Sequence, residues 1–303
     1  MADKIIKGLL FDGNVNLIAI NGTELIRDAK TRHGLSRVCT AALGRTLMIT
    51  SVMGALLKND TDRISTIING GGPAGRIICT ARRGGIVKGY IENPSLELPP
   101  TPDGKLDVAE AVGRKGDLTV IRDLSLKDPY IGKSEIVSGE IAEDFANYFA
   151  LSEQQPSLLY LGVRVATATG DVLAASGLLA QPLPQCPDEY VSTLESSVGA
   201  IRGLTEMVEK SGDFEGSLDK LFAGMDLTVT EGFEPVFQCD CDRARLEAIL
   251  ESLGEKELRE MLEEDGGAEI TCRFCNSAYK FDSSDLEKII RRCAATGAAA
   301  DVE

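Results

Sequence analysis

Four of the eight cysteines in this 303-residue chain fall in two tight pairs near its C-terminal end, Cys239-x-Cys241 and Cys272-x-x-Cys275, with thirty residues between the pairs. Four thiolates complete a tetrahedral Zn²⁺ and leave no open position. The pattern therefore predicts one Zn²⁺ per chain, held in the reduced state by Cys239, Cys241, Cys272 and Cys275. Between the pairs, "DRARLEAILESLGEKELREMLEEDGG" reads as two short helices broken at Gly254. Leu246, Ile249, Leu250 and Leu253 make one apolar stripe, and Leu258, Met261 and Leu262 another. A core this small needs a metal or disulfides to hold it, so the metal is expected to staple the ends of a helical hairpin. A catalytic zinc keeps an open site and commonly has His among its ligands. The only histidine is His33, far upstream, and it reads as a solvent-facing residue at a helix end.

The rest of the composition narrows the setting. The formal net charge is −15 and the pI is about 4.7. So acidic a chain gains nothing from the phosphate term that dominates nucleic-acid binding, and no nucleic-acid partner is expected. The start "MADKIIKGLLFDGN" is broken by Lys7 and Asp12 and does not read as a signal peptide. No apolar run reaches the ~20 residues of a membrane helix; "TLMITSVMGALL" comes nearest. A cytoplasmic protein with no membrane association is expected, and there clustered thiols read as metal-binding or redox-active.

Pairing the cysteines closely along the chain has a second consequence. Neighbours two or three residues apart can oxidise to local disulfides, Cys239–Cys241 and Cys272–Cys275, although the first ring is tight. Four thiolates on one metal tie residue 239 to residue 275; two local disulfides tie nothing across the gap. Oxidation would expel the metal and cut the long-range link together. Structural zinc binding is worth about 10–16 kcal/mol in small peptides and is folding energy, so the small domain should then unfold. Arg243, Arg245 and Arg273 lie near the thiols in sequence and are expected to keep them nucleophilic.

The first ~180 residues read as α+β, a mixed core domain with antiparallel strands. "DKIIKGLLF" and "NVNLIAIN" form a hairpin at Asp12-Gly13, a helix follows to Gly34, and a buried helix starts at an N-cap Ser36. "RISTIIN", "GRIICTAR" and "GIVKGYIE" read as a meander, and "GDLTVIRDL" and "SEIVSGE" as two more strands. "IAEDFANYFALSEQQ" is an amphipathic helix stopped by Pro156, and "SLLYLGVRVATA" and "DVLAASGLLAQ" close the domain. "PLPQCP" then breaks the pattern, and glycine-punctuated helices begin at Asp188. Each interior glycine costs a helix roughly 1 kcal/mol relative to Ala, so this linker should be unstable without neighbours. The expected division is a core domain over 1–181, a helical linker over 182–235 and a zinc-binding redox domain over 236–303.

The cysteine tail, with "EEDGGAEITCRFCNSAYKFD" around its second pair, strongly resembles the heat-shock protein 33 family, the redox-regulated 33 kDa chaperonins. The resemblance covers the whole chain and includes "STIINGGGPAGRI" and "EIAEDFANYFALSEQQPS". It implies an ATP-independent holdase rather than an enzyme. Reduced and zinc-bound, such a protein is inactive. Oxidised at both pairs it loses zinc, unfolds its linker and zinc domain, and binds unfolding client proteins, often as a homodimer. Apolar linker residues such as Val191, Leu194, Val198 and Leu204, with the core face they cover, are the expected client surface. The alternatives are an ordinary structural zinc module for protein partners and a thiol oxidoreductase.

Other features have plainer readings. "NGGGPAGR" lacks the Lys-Ser/Thr of a P-loop and reads as a strand-connecting turn. Cys39 and Cys79 are expected as small buried apolar residues, Cys186 sits at the hinge between core and linker, and Cys293 has no assigned role. Glu143-Asp144 and Glu263-Glu264 read as solvated helix faces.

Overall fold

The computed structural model describes residues 2–300. The chain divides into two compact units, Met1–Gln238 and Cys239–Glu303. The first opens with the hairpin β1 (Lys4–Leu10) and β2 (Val15–Asn21), then helices α1 (Thr23–His33) and α2 (Arg37–Ala55). The meander β3 (Arg63–Asn69), β4 (Ile77–Arg82) and β5 (Ile86–Ile91) follows, then α3 (Val108–Val112), β6 (Asp117–Asp123) and β7 (Tyr130–Glu135). Helix α4 (Ala142–Ser152) leads into the hairpin β8 (Leu158–Val165) and β9 (Val172–Pro182). Last come helices α5 (Asp188–Ser196), α6 (Val198–Ile201), α7 (Leu204–Ser211) and α8 (Phe214–Leu221), and strands β10 (Thr228–Phe233) and β11 (Val236–Phe237). The strands make a five-stranded sheet, β10-β1-β2-β9-β8, and a six-stranded sheet, β11-β5-β4-β3-β6-β7. All pairings are antiparallel except β11 with β5.

Helix α2 packs against strands of both sheets. The Ser36 side chain accepts the Cys39 N–H and caps it, and from Val38 to Ala55 every residue but Arg45 is buried. Apolar on all sides, it is long enough by length and composition to cross a bilayer, and 94% of that stretch is buried within the protein. Gly54 is needed for close packing: a Cβ there would fall 2.7 Å from Ala81 Cβ. The glycine-rich loop between β3 and β4 has a similar basis. Gly72 and Ala74 donate backbone hydrogen bonds to Val112 and Ala111 carbonyls, and a Cβ on Gly70 or Gly72 would lie 2.4 Å from that backbone.

Three expectations in this unit need correction. "SEIVSGE" is not a strand beyond Glu135; β7 starts earlier, at Tyr130. The chain turns because the Asp144 carboxylate accepts N–H groups from Val137, Ser138, Gly139 and Ile141. Asp144 is therefore fully buried rather than a solvated helix residue. His33 is likewise half-buried, not solvent-facing, with its ring edge-on to Phe237 at 6.0 Å.

The segment after "PLPQCP" covers one face of the five-stranded sheet. Leu194, Ile201, Leu204, Val208, Phe214 and Leu218 join Ile6, Leu10, Leu17 and Leu178 in one buried cluster. Val191 and Val198 are half-buried. Within the α7 interface lies a buried hydroxyl cluster, where Thr205 Oγ1 is 2.9 Å from Tyr160 Oη and 2.8 Å from Ser176 Oγ. The segment is more broken than one long helix and ends in strands, with β10 extending the sheet beside β1.

The second unit holds α9 (Arg243–Leu253), α10 (Glu255–Asp265), the hairpin β12 (Gly267–Thr271) and β13 (Ala278–Asp282), and α11 (Ser283–Ala300). The Asp242 carboxylate caps α9, and Gly254, at φ 89°, makes the break before α10. Leu246, Leu250 and Leu258 are buried with Phe281, Leu286, Ile289 and Ile290. Ile249 and Leu253 face outward instead, 50% and 39% exposed, because the core is completed by α11 rather than by the facing helix alone.

Candidate metal centre

The C-x-C pair lies on the short stretch that runs into the α9 cap at Asp242, and the C-x-x-C pair lies on the turn between β12 and β13. That turn is built by Cys272: its N–H donates to the Ser277 carbonyl at 2.9 Å, and its carbonyl accepts from Cys275 and Asn276. Asn276 takes the left-handed conformation at φ 58°, which Asn tolerates better than most residues. The fold brings together all four predicted ligand sulfurs, Cys239, Cys241, Cys272 and Cys275, within 4.8 Å of one another. Cys275 is buried and the other three are half-buried.

The donor set fits a soft divalent cation. A Zn–S bond of about 2.3 Å implies sulfurs about 3.8 Å apart along a tetrahedral edge. Cys239 and Cys272 Sγ lie 3.8 Å apart, and Cys241 and Cys275 Sγ 3.3 Å. Both of these approaches run between the two motifs, and Cys272 and Cys275 also meet within theirs. Burial pushes the Cys272 thiol up. Burial also raises Cys275, but hydrogen bonds with Ser277 and with the Cys241 and Cys272 sulfurs outweigh it and bring the thiol down to about 7.

Two of the arginines near the thiols in sequence have partners of their own. Arg243 donates to the Lys280 carbonyl at 2.7 Å, pairs with Asp285 and lies over the Phe281 ring. Arg245 pairs with Asp240 at 3.1 Å, and Arg273 is exposed. Arg243 and Arg245 are thus engaged with carboxylates. The polar groups on the sulfurs are hydroxyls that sequence reasoning missed, Tyr279 beside Cys241 and Ser277 beside Cys275. Ser277 could have been found from its two-residue spacing to Cys275; Tyr279 reaches a residue 38 positions away and leaves no such signal. Hydrogen bonding to Cys241 pushes the Tyr279 phenol up to about 12, so the phenol keeps its proton. His33 lies in the other unit and is not among the clustered ligands.

Cys39 and Cys79 are buried in the first unit, and burial pushes both thiols up. Cys186 is half-buried against the cluster beneath α5–α8, and Cys293 against the core of the second unit. Of the residues expected to hold clients, Leu194 and Leu204 are buried against the sheet, 3% and 0% exposed.

The Hsp33 protein family matches residues 3–282. A 33 kDa chaperonin of Alkaliphilus metalliredigens is 42% identical over 290 residues, which cover 96% of this chain and 99% of the relative. One of Clostridioides difficile is 40% identical over 291 residues, with 96% and 99% covered. The crystal structure of a 33 kDa chaperonin from Thermotoga maritima, a heat shock protein 33 homolog, is similar with a TM-score of 0.89 at 33% identity, covering 97% of this chain and 100% of that one. With a match along nearly the whole sequence and the same fold, the chain belongs to the Hsp33 protein family.

Proposed function

We propose that this chain is a redox-regulated, ATP-independent chaperone that holds unfolding proteins when its four clustered cysteines are oxidised and is inactive when they are reduced on Zn²⁺. The observation that carries the reading is the cluster itself: four sulfurs from two distant motifs within 4.8 Å of one another. Bound Zn²⁺ would supply a cross-link between the motifs and, through it, folding energy. The chain's own thiols supply the switch. Each disulfide forms as two thiols give two electrons and two protons to a peroxide, which leaves as two waters. Pairing as Cys239–Cys241 and Cys272–Cys275 would use up all four ligands without replacing the link across the gap.

What opens next follows from the first unit. Helices α5–α8 contain few residues each and lack the propensity to persist without packing. Once the second unit has lost its fold, ordered chain would end at Gln238, just after the segment over 188–235. Its release would uncover the apolar face of the helices, including Leu194 and Leu204 with the adjoining Val191 and Val198, and the sheet face of Ile6, Leu10 and Leu17. An apolar surface of that extent is suited to unfolded polypeptide. The working parts in this reading are a core over 1–181, a linker over 182–235 and a redox domain over 236–303, in a cytoplasmic protein that dimerises when activated.

The test is to treat the reduced, zinc-loaded protein with peroxide and follow zinc release and suppression of client aggregation together. The proposal expects both to rise with thiol loss and to reverse on reduction. Zinc retained under peroxide, with no gain in holding, would make the centre an ordinary structural module. Catalytic turnover of peroxide or a dithiol would make the protein an oxidoreductase.

A further inference from the structure

The β12–β13 hairpin places two hydroxyls on the sulfur cluster as well as two cysteines. The Tyr279 phenol lies 3.3 Å from Cys241 Sγ and 3.2 Å from the Cys241 carbonyl, so its single proton is shared between the two acceptors once Cys241 is a thiolate. Ser277 Oγ accepts from the Cys275 thiol at 3.3 Å, and against a thiolate the same hydroxyl can only donate. The two sulfurs so contacted are the pair that approach to 3.3 Å across the motifs. Each motif thus has one sulfur with a hydroxyl against it, and both hydroxyls come from the same three residues of chain.

The chemistry of such an arrangement is specific. Four thiolates around a divalent cation leave an excess of negative charge on sulfur. Donors to metal-bound ligands offset that charge and fix ligand orientation, and their loss typically weakens metal binding by about 10–100-fold. Tyr279 is also tied in place. It stands opposite Ile270 on the paired strand, and its ring packs against the core of the second unit. The Cys239–Cys241 stretch has no strand or helix of its own. Tyr279 reaches into it at both sulfur and carbonyl, which holds that stretch against the hairpin carrying Cys272 and Cys275.

We propose that Tyr279 and Ser277 are positioning residues of the four-cysteine centre, donating hydrogen bonds to the Cys241 and Cys275 thiolates, with Tyr279 clamping the C-x-C stretch in register for the metal. The proposal rests on the metal-centre reading given above. It adds that the affinity of the centre, and the electron density on two of its sulfurs, are set by groups outside the cysteine motifs.

Cobalt(II) added to the reduced, metal-free full-length chain provides the test. It reports both affinity and sulfur donation, since a four-thiolate site gives an intense sulfur-to-cobalt charge-transfer band. Tyr279→Phe keeps the ring and removes only the hydroxyl. It is expected to weaken cobalt binding by about tenfold and to move the charge-transfer band to lower energy, because a sulfur without its donor is more electron-rich. Loss of packing alone would weaken binding but leave the band of the bound site in place. An unmoved band therefore overturns the proposal whatever the affinity does. Should Tyr279→Phe bind no cobalt, Ser277→Ala decides by the same criterion, since that hydroxyl has little packing to lose. If the wild-type chain gave no four-thiolate spectrum, the metal-centre reading would fall and the proposal with it. A normal wild-type spectrum with unmoved variants removes the proposal alone.

Discussion

The Asp144 carboxylate is fully buried and accepts four backbone N–H groups at 2.9 to 3.3 Å. One belongs to Ile141, which sits at φ 68°, a conformation a β-branched residue enters only at a cost. Hydrogen bonds to a charged group are worth about 1.5–3 kcal/mol each, so Asp144→Asn is expected to lower stability by about 2 kcal/mol. A urea titration of the reduced protein would show this as a lower midpoint with an unchanged slope; an unmoved midpoint would mean that the charge does not hold the loop. The cysteines carry the second prediction at this scale. Sulfurs approach across the motifs, Cys239 to Cys272 and Cys241 to Cys275, as well as within one, Cys272 to Cys275, whereas the proposed switch pairs Cys239–Cys241 and Cys272–Cys275. Loop closure favours near neighbours once the metal no longer fixes the sulfurs. Peptide mapping after peroxide should find the local pairs. Mostly crossed pairs would keep the two motifs tied and remove the reason for unfolding. The cysteines, Ser36, Gly34 and Gly254 were legible because each acts locally or by fixed spacing. Asp144 was not, because one of two adjacent acids at the start of an amphipathic helix reads as part of a solvated face until the loop it gathers is seen.

The helices over 188–221 cover one face of the five-stranded sheet, a cover that the proposed function takes to be removable. Their apolar side chains are spread over short pieces, and Thr205 adds a shared hydroxyl contact with Tyr160 and Ser176 that fixes α7 on the sheet. Gly162 makes room for it, since a Cβ there would fall 2.2 Å from Thr205 Oγ1. The two linker glycines are not equivalent. Gly199 lies within α6 and a Cβ there would meet nothing within 4 Å, whereas at Gly203 it would lie 3.2 Å from the Ala200 carbonyl. Gly199→Ala should therefore stabilise the segment by up to about 1 kcal/mol. The variant should release zinc under peroxide as the wild type does but need a higher temperature or more oxidant to suppress aggregation. Equal activation of both would argue that the helices do not gate client holding. Sequence pattern reached most elements and missed α3, β10, β11, the hairpin β12–β13 and α11. Strand β10 is exposed at nearly every position, so it has no alternation to read, and its partner β1 is at the other end of the first unit. Helix α11 does carry a helical signal, in Leu286, Ile289, Ile290 and Cys293, and with it the core of the second unit becomes larger than a two-helix hairpin.

At the scale of the molecule, the chain joins a large unit with a continuous core to a small one whose ends meet at four sulfurs. The large unit has ample buried apolar contact to survive oxidation. The small one has a core of about a dozen side chains, of a size that depends on a metal. Oxidation should therefore loosen the second unit and the segment preceding it, edge strand β10 included, while leaving β1–β9 of the two sheets intact. Hydrogen exchange over 188–235, compared between the reduced zinc-loaded and the peroxide-oxidised protein, tests this most directly. The account predicts strong protection in the reduced form, loss of that protection on oxidation, and unchanged protection in α2 and the β3–β5 meander. Equal exchange over 188–235 in the two forms would contradict it, because the helices would then not be what the cysteines control.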